Sequence, residues 1–138
     1  MTAKDFLKQY EYADRRVKRL EEELEEERLM IDAVRSLPDN DGMPHGNGIS
    51  KPVEDRAVRL ADKLKALSDA RMDAIEARQA VFDVIIQIDG DVGDVLYQRY
   101  VKLLYWTEVC VALGKGWNWT HQRHREGLEL VEKIIKEY

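Results

Sequence analysis

The chain has 138 residues, enough for one ordinary domain or two small ones. Charged residues make up 36% of it and apolar residues 44%, a balance typical of a soluble, helix-rich protein. Its apolar runs are too short to cross a bilayer, and its charged N-terminus does not have a signal-peptide pattern, so we expect a cytoplasmic protein without membrane contact. The single cysteine, Cys110, excludes an internal disulfide framework and suits a reducing compartment.

The net charge of −5 argues against nucleic acid as a partner, but the charge is unevenly spread. Residues 1–90 carry 15 Lys and Arg against 20 Asp and Glu, whereas residues 91–138 carry seven of each. Within residues 115–125 there are three cations, two histidines and no acid. Such a local basic face can bind phosphate even in an acidic chain. It predicts a modest, salt-sensitive contact that needs two copies of the chain.

A first long helix is predicted from Ala3 to Ser36. Its apolar residues alternate steps of three and four, which is the heptad period of a coiled coil. These positions are Phe6, Tyr10, Ala13, Val17, Leu20, Leu24, Ile31 and Val34. Glu27 interrupts the pattern at one expected apolar position. The acidic run 21–27 around it is interpreted as a solvated face, because no histidine or cysteine lies near it in sequence.

Residues 37–52 interrupt the helical pattern. They contain all three prolines and three of the eight glycines, so helix cannot continue through them. Two interpretations stay open: a flexible connector, or an ordered loop that contacts a partner or nucleic acid. His45 stands alone here and indicates no metal site.

A second long helix is predicted from Pro52 to about Asp89, since proline suits a first helical turn and acids follow it. Its expected apolar positions are Ala57, Leu60, Leu64, Leu67, Ala74 or Ile75, Phe82, Ile85 and Ile88. With the first helix it would form a long antiparallel coiled-coil hairpin, giving a first domain over residues 1–89. A two-helix hairpin buries little by itself. We therefore expect a homodimer through residues 3–89, or packing of the hairpin on the rest of the chain.

Three shorter helices are predicted in residues 90–138. A break at residues 89–93 precedes a helix from Asp94 to Val101, followed by a helix over residues 106–113. Gly114 and Gly116 then make a turn, and the last helix runs to about Glu137. No strand pattern is present, so the fold class is all-α, with residues 90–138 as a helix-turn-helix DNA-binding domain.

The last helix carries the residues that suit DNA reading. At 100° per residue, one side takes the apolar positions and the other takes polar ones. The outward side comprises Asn118, His121, Gln122 and Arg125. Amide side chains pair with adenine and arginine with guanine in the major groove. Lys115 and Arg123 are the candidate phosphate contacts. The competing interpretation is an ordinary corner between two helices, which has the same short helix, glycine turn and long helix.

Three further residues in this region are given structural interpretations. His124 lies on the packed side and is expected to be a core histidine. Trp119 points sideways, either packing on Tyr105 or Trp106 or contacting a sugar or thymine methyl, and packing is favoured. Cys110 lies within a helix without a neighbouring base, so we expect a buried thiol rather than a nucleophile.

A family resemblance covers nearly the whole chain. The segments 96–101 (Leu-Tyr-Gln-Arg-Tyr-Val) and 106–108 (Trp-Thr-Glu), Leu113-Gly114, the His121-x-x-His124 pair and Gly127 resemble region 4 of sigma factors. They look closest to small phage regulators with a sigma-region-4-like domain, of the ArpU and RinA late-gene activator type. The loop 43–50, Met-Pro-His-Gly-Asn-Gly-Ile-Ser, resembles a signature of Firmicutes prophage proteins.

The resemblance implies a phage or prophage transcription regulator that binds double-stranded DNA, with RNA polymerase as a further partner and with neither cofactor nor catalysis. Carried over by position, the residues facing the major groove are Trp117, Asn118, His121, Gln122 and Arg125. The sequence departs from the family pattern at two places. Gly116 stands where a Ser or Thr cap is usual. Thr120 and Arg123 stand where isoleucine or valine usually packs.

Two other classes of function fit the same elements. A phage structural or DNA-packaging protein, similar to a small terminase subunit, also combines a helix-turn-helix with coiled-coil oligomerisation, but it forms rings of eight or more. A helical protein-interaction module would show no DNA affinity at low salt. An enzyme is the least supported class, because no paired acid and base, phosphate loop or metal cluster is recognisable.

Overall fold

The computed structural model describes residues 1–36 and 51–137, and these residues form α-helices and no strand. The all-α class is therefore confirmed. The helices are α1 (Ala3–Arg35), α2 (Lys51–Ile85), α3 (Gly90–Leu96), α4 (Trp106–Leu113) and α5 (Trp117–Lys136). α3 continues directly into a π-helical turn, Tyr97–Val101. The loop signature 43–50 lies outside the described residues, as does most of the predicted connector 37–52.

The burial of α1 follows the predicted heptad positions, except at Val34 near the end of the helix. All of the predicted apolar positions up to Ile31 are buried or half-buried, whereas Val34 is exposed. Glu27 is buried, with 8% of its surface exposed, although the acidic run was expected to face solvent throughout. Its acidic neighbours 21–23, 25 and 26 are exposed, as predicted.

Glu27 is buried because α2 supplies cations to meet it. The Glu27 carboxylate lies 3.4 Å from Lys63 Nζ and 4.0 Å from Arg56 Nη1. Arg71, eight residues after Lys63, pairs with Glu21 at 3.3 Å, and Glu21 precedes Glu27 in α1. Residue numbers thus rise along α2 as those of their partners in α1 fall. These segments therefore run antiparallel where they touch. A buried ion pair of this kind fixes register more than it stabilises, because desolvation offsets the attraction.

The buried positions of α2 differ in part from the prediction. Leu67 is buried as expected, and of the alternatives Ala74 and Ile75 the buried residue is Ala74. Leu64, however, is 43% exposed. Lys63 occupies the half-buried position that had been given to Leu64. The prediction chose the leucine because it weighed apolar character alone and did not pair Lys63 with Glu27.

The chain forms two compact units. The central unit comprises residues 16–71, in which Leu24, Leu67 and Ala70 are buried. The terminal unit comprises residues 1–15 and 72–138. Its hydrophobic core draws on α1, α2, α3 with its π turn, and α5, as in Leu7, Val81, Val84, Ile85, Ile88, Leu96, Tyr100, Val101 and Val131. Parts of the predicted first domain thus share a core with the predicted helix-turn-helix.

The junction between α2 and α3 lies earlier than predicted. α2 ends at Ile85 instead of Asp89, and α3 begins at Gly90 instead of after a break at residues 89–93. Gly93 is a helical residue here, and a Cβ on it would collide with the carbonyl oxygen of Ile88. A glycine that looks like a helix breaker in sequence therefore permits a close approach of backbone to backbone.

Candidate nucleic-acid interface

The turn between α4 and α5 is built by backbone geometry. Gly114 adopts a left-handed conformation with φ of 65°, just past the end of α4. Its N–H donates to the Val111 carbonyl at 3.2 Å, and the Lys115 N–H donates to the Cys110 carbonyl at 3.0 Å. This pair of bonds is the Schellman motif that commonly ends a helix at glycine. It sets the direction in which the chain enters α5.

The start of α5 has no side-chain cap, in agreement with the glycine at position 116. Thr120, one turn into the helix, has a side chain that bonds to the backbone and caps no N–H group. It is fully buried, and its hydroxyl donates to the Gly116 carbonyl at 2.9 Å while Cys110 Sγ lies 3.4 Å from the same hydroxyl. Thr120 therefore satisfies its polar group locally at a position where the family pattern expects an aliphatic residue. Cys110 is half-buried rather than fully buried.

The two sides of α5 separate as predicted, except at His121. Thr120, His124, Gly127 and Val131 are buried, and Gly127 lets α5 approach the Leu96 side chain of α3. On the opposite side Asn118, Gln122 and Arg125 are exposed. None of these three side chains makes a hydrogen bond or ion pair with the rest of the described chain. We call them the polar triad; its donors and acceptors remain free for a ligand.

His121, predicted to face bases, lies in an aromatic cluster instead. Its ring centroid is 4.1 Å from that of Trp117 and 4.6 Å from that of Trp106. The ring is half-buried, and its Nε2 is buried without a hydrogen-bond partner. On a helical wheel His121 lies about 60° from His124, at the edge of the packed side, so the wide Trp106 ring can cover it. Trp117 itself is 53% exposed at the start of the helix.

The two predicted phosphate contacts both lie over the ring of one tryptophan. Lys115 Nζ and Arg123 Cζ each lie 5.3 Å from the centroid of the Trp119 ring, within cation–π range. Lys115 is exposed. Arg123 is half-buried and also forms an ion pair with Glu126 at 2.9 Å. Trp119 thus contacts both cations, and Arg123 already has a carboxylate partner within the helix.

His124 is a core histidine, as predicted. Its Nε2 lies 2.6 Å from the hydroxyl of Tyr100, which is fully buried. Burial lowers the pKa of His124 to about 4 and raises the pKa of Tyr100 to about 12. At neutral pH both groups are therefore uncharged, and we assign the Tyr100 hydroxyl as donor to the neutral imidazole. The pair secures the back of α5 to the π turn.

Arg99 is a structural residue that the sequence did not reveal. It pairs with Glu11 of α1 at 3.5 Å, donates to the Leu104 carbonyl at 3.0 Å and lies over the Trp106 ring at 5.5 Å. It holds the segment before α4, in which Leu103 has a φ of 59°. A left-handed leucine is uncommon and must be held by its surroundings. No pattern in the sequence pairs residues 11 and 99, because the contact joins distant segments.

Within residues 1–36 and 51–137, no three His, Cys, Asp or Glu side chains lie close enough to share a metal ion. In the same residues, no helix is both long and apolar enough to span a membrane.

Comparison with protein-family models, with curated proteins and with solved structures found no match for the chain. The resemblance to sigma region 4 and to phage regulators therefore stays a prediction from the residues themselves.

Proposed function

We propose that the protein is a non-catalytic DNA-binding regulator of the phage type, in which α4, the glycine turn and α5 form a helix-turn-helix. The observation that carries the proposal is the polar triad: an amide, an amide and a guanidinium that are exposed and without partners on the outer side of a helix packed firmly on its other side. Recognition helices present such residues near their N-termini. Asn118 and Gln122 would read adenine and Arg125 guanine.

The electrostatics near the triad support an anionic ligand. Residues 115–125 contain no acid, and the first acid of α5 is Glu126. Lys115 is exposed next to the start of the helix, where free backbone N–H groups also favour phosphate. In this proposal α1 and α2 form the antiparallel coiled-coil hairpin, and the protein acts as a homodimer because one weakly basic helix binds too few phosphates alone.

The test is DNA binding by fluorescence anisotropy across a salt series, with DNA from upstream of the protein's own gene and with scrambled DNA. We expect sequence-preferring binding that weakens as salt rises. The triple variant Asn118→Ala, Gln122→Ala, Arg125→Ala should bind about 100-fold more weakly. Each base contact contributes about 1–3 kcal/mol, and the loss of about 3 kcal/mol in total lowers the affinity by about that factor.

The matched control is Arg59→Ala on α2, which removes the same net charge from an exposed position in the central unit. It should keep the sequence preference. The outcome against the proposal is an absence of binding even at about 50 mM salt, where phosphate contacts are strong.

A protein-interaction module is the second candidate, and exposed apolar groups on α4 favour it. Val111 is 82% exposed and lines a shallow groove with Leu104, Thr107 and Ala112. Tyr105, just before α4, is 75% exposed. Exposed apolar patches commonly mark interaction sites. If the chain binds no DNA at low salt, the protein-interaction module becomes the better supported function. RNA polymerase is then among the partners to test.

A further inference from the structure

A second apolar stripe runs along α2, and most of its residues are exposed. Met72 is 56% exposed, Ile75 63% and Ile86 61%. Together with Gln79 and Phe82, these residues are spaced by alternate steps of three and four, which is again the heptad period. We name the set the outer stripe: Met72, Ile75, Gln79, Phe82 and Ile86. All of it belongs to the terminal unit.

The outer stripe is nearly opposite the buried side of the same helix. Ala74, Val81 and Val84 are buried. At 100° per residue the centre of the outer stripe lies about 155° from the centre of the buried positions. A helix that is apolar on two opposite sides is suited to packing on two neighbours. On the outer side Phe82 is half-buried, with its ring centroid 6.5 Å from that of Tyr97, whereas Met72, Ile75 and Ile86 stay exposed.

The edges of the outer stripe carry opposite charges. Arg78 lies along one edge, and Glu76 and Asp83 lie along the other; all three are exposed. Asp83 accepts a hydrogen bond from Gln79 Nε2 at 2.6 Å through one oxygen, which leaves its second oxygen open. Arg71 stands on the cationic edge too, but it is already paired with Glu21 at 3.3 Å.

This arrangement of charge selects both the partner and its direction. When two copies of a helix face each other in parallel, the cationic edge of one meets the acidic edge of the other. When they face each other antiparallel, cations meet cations and acids meet acids. In a parallel pair, position g of one helix pairs with position e of the other five residues later, and Arg78 and Asp83 have that spacing.

We propose that the outer stripe is the interface of a parallel, in-register homodimer, in which Arg78 of each copy faces Asp83 of the other. This inference deepens the dimer of the proposed function by naming its face and direction. Its test uses the full chain without DNA. A dimer that forms in this way but binds no DNA would remove the DNA-binding proposal and leave the interface standing.

The first measurement is the mass of the chain in solution by sedimentation equilibrium. The wild-type chain should be a dimer at concentrations on the order of 10 μM, an ordinary affinity for a short apolar interface. Ile75→Glu should weaken the dimer by about 100-fold, because it buries a charge within the apolar stripe. Val111→Glu is the matched control, since it places the same charge on exposed α4, and it should leave the dimer unchanged.

The second measurement decides direction by exchanging charges. Arg78→Glu and Asp83→Arg should each weaken the dimer by about tenfold, because each creates like-charge contacts across the interface. The double variant should recover to within about threefold of wild type, since the pair is restored with reversed signs. A monomeric wild-type chain, an unaffected Ile75→Glu dimer, or single variants that dimerise more tightly would overturn the proposal.

Discussion

Burial of His124 against Tyr100 makes the stability of the terminal unit depend on pH. The pKa of His124 is lowered to about 4 in the folded chain, whereas an unfolded histidine titrates near its ordinary value of 6.5. Between these two values the unfolded chain binds a proton that the folded chain does not. Acid therefore favours unfolding, and the contribution of His124 is full above about pH 6.5 and is lost as pH falls toward about 4.

We expect the free energy of unfolding to fall by about 2 kcal/mol from this source between pH 7 and pH 4.5. Urea unfolding of wild type and of His124→Gln at both pH values measures it. The glutamine can still accept from the Tyr100 hydroxyl but cannot titrate, so its stability should change less with pH. Equal changes in the two proteins would show that other groups cause the dependence.

At the scale of elements, glycines set how closely α3 can approach its neighbours. A Cβ at position 93 would collide with the Ile88 carbonyl oxygen, which is backbone and cannot move aside as a flexible side chain can. We expect Gly93→Ala to lower the free energy of unfolding by about 3 kcal/mol, even though alanine favours helix. Thermal or urea unfolding measures the loss.

Substitutions at two other glycines serve as comparisons for the loss of stability expected at Gly93. Gly127→Ala would place its Cβ 2.9 Å from the Leu96 side chain, which can shift, so the loss should be smaller, about 1 kcal/mol. Gly116→Ser meets open space and adds a helix cap, so it should change stability by less than about 0.5 kcal/mol. If all three variants were equally stable, the close approach at Gly93 would not be a constraint.

The sequence predicted those elements whose signal is local. Periodicity gave the long helices and the two sides of α5, and the glycines at 114 and 116 gave the turn. Contacts between distant segments left no such signal. Lys63 is half-buried because Glu27 faces it, and His121 is covered because Trp106 comes from another helix. The start of α3 was missed because Gly93 has the same appearance in a sequence whether it ends a helix or permits close packing.

In the molecule as a whole, residues 90–138 do not form their hydrophobic core alone. The core of the terminal unit includes Leu7 of α1 and Val81, Val84 and Ile85 of α2, which all precede residue 90. We expect a fragment of residues 90–138 to be largely unfolded, since it is small and loses one wall of its core. Circular dichroism and amide dispersion in NMR spectra of the fragment test this.

The control for this fragment is a variant that keeps residues 1–15 and 72–138. In it, a flexible linker of about ten Gly and Ser residues replaces residues 16–71. It retains the whole core of the terminal unit, so it should be folded. A fragment 90–138 with native-like dispersion would instead support the domain boundary predicted at residue 89.

The positions of the three tryptophans give the molecule an optical property. All of them, Trp106, Trp117 and Trp119, belong to α4 and α5, and none lies in the long helices. Indole emission therefore reports on the terminal unit alone, whereas the far-ultraviolet signal sums over every helix. Because Trp117 is exposed beside the polar triad, a ligand that binds there would change the emission of the unlabelled protein. During denaturation, the shift in emission wavelength would follow the unfolding of the terminal unit separately from the loss of helix in the whole chain.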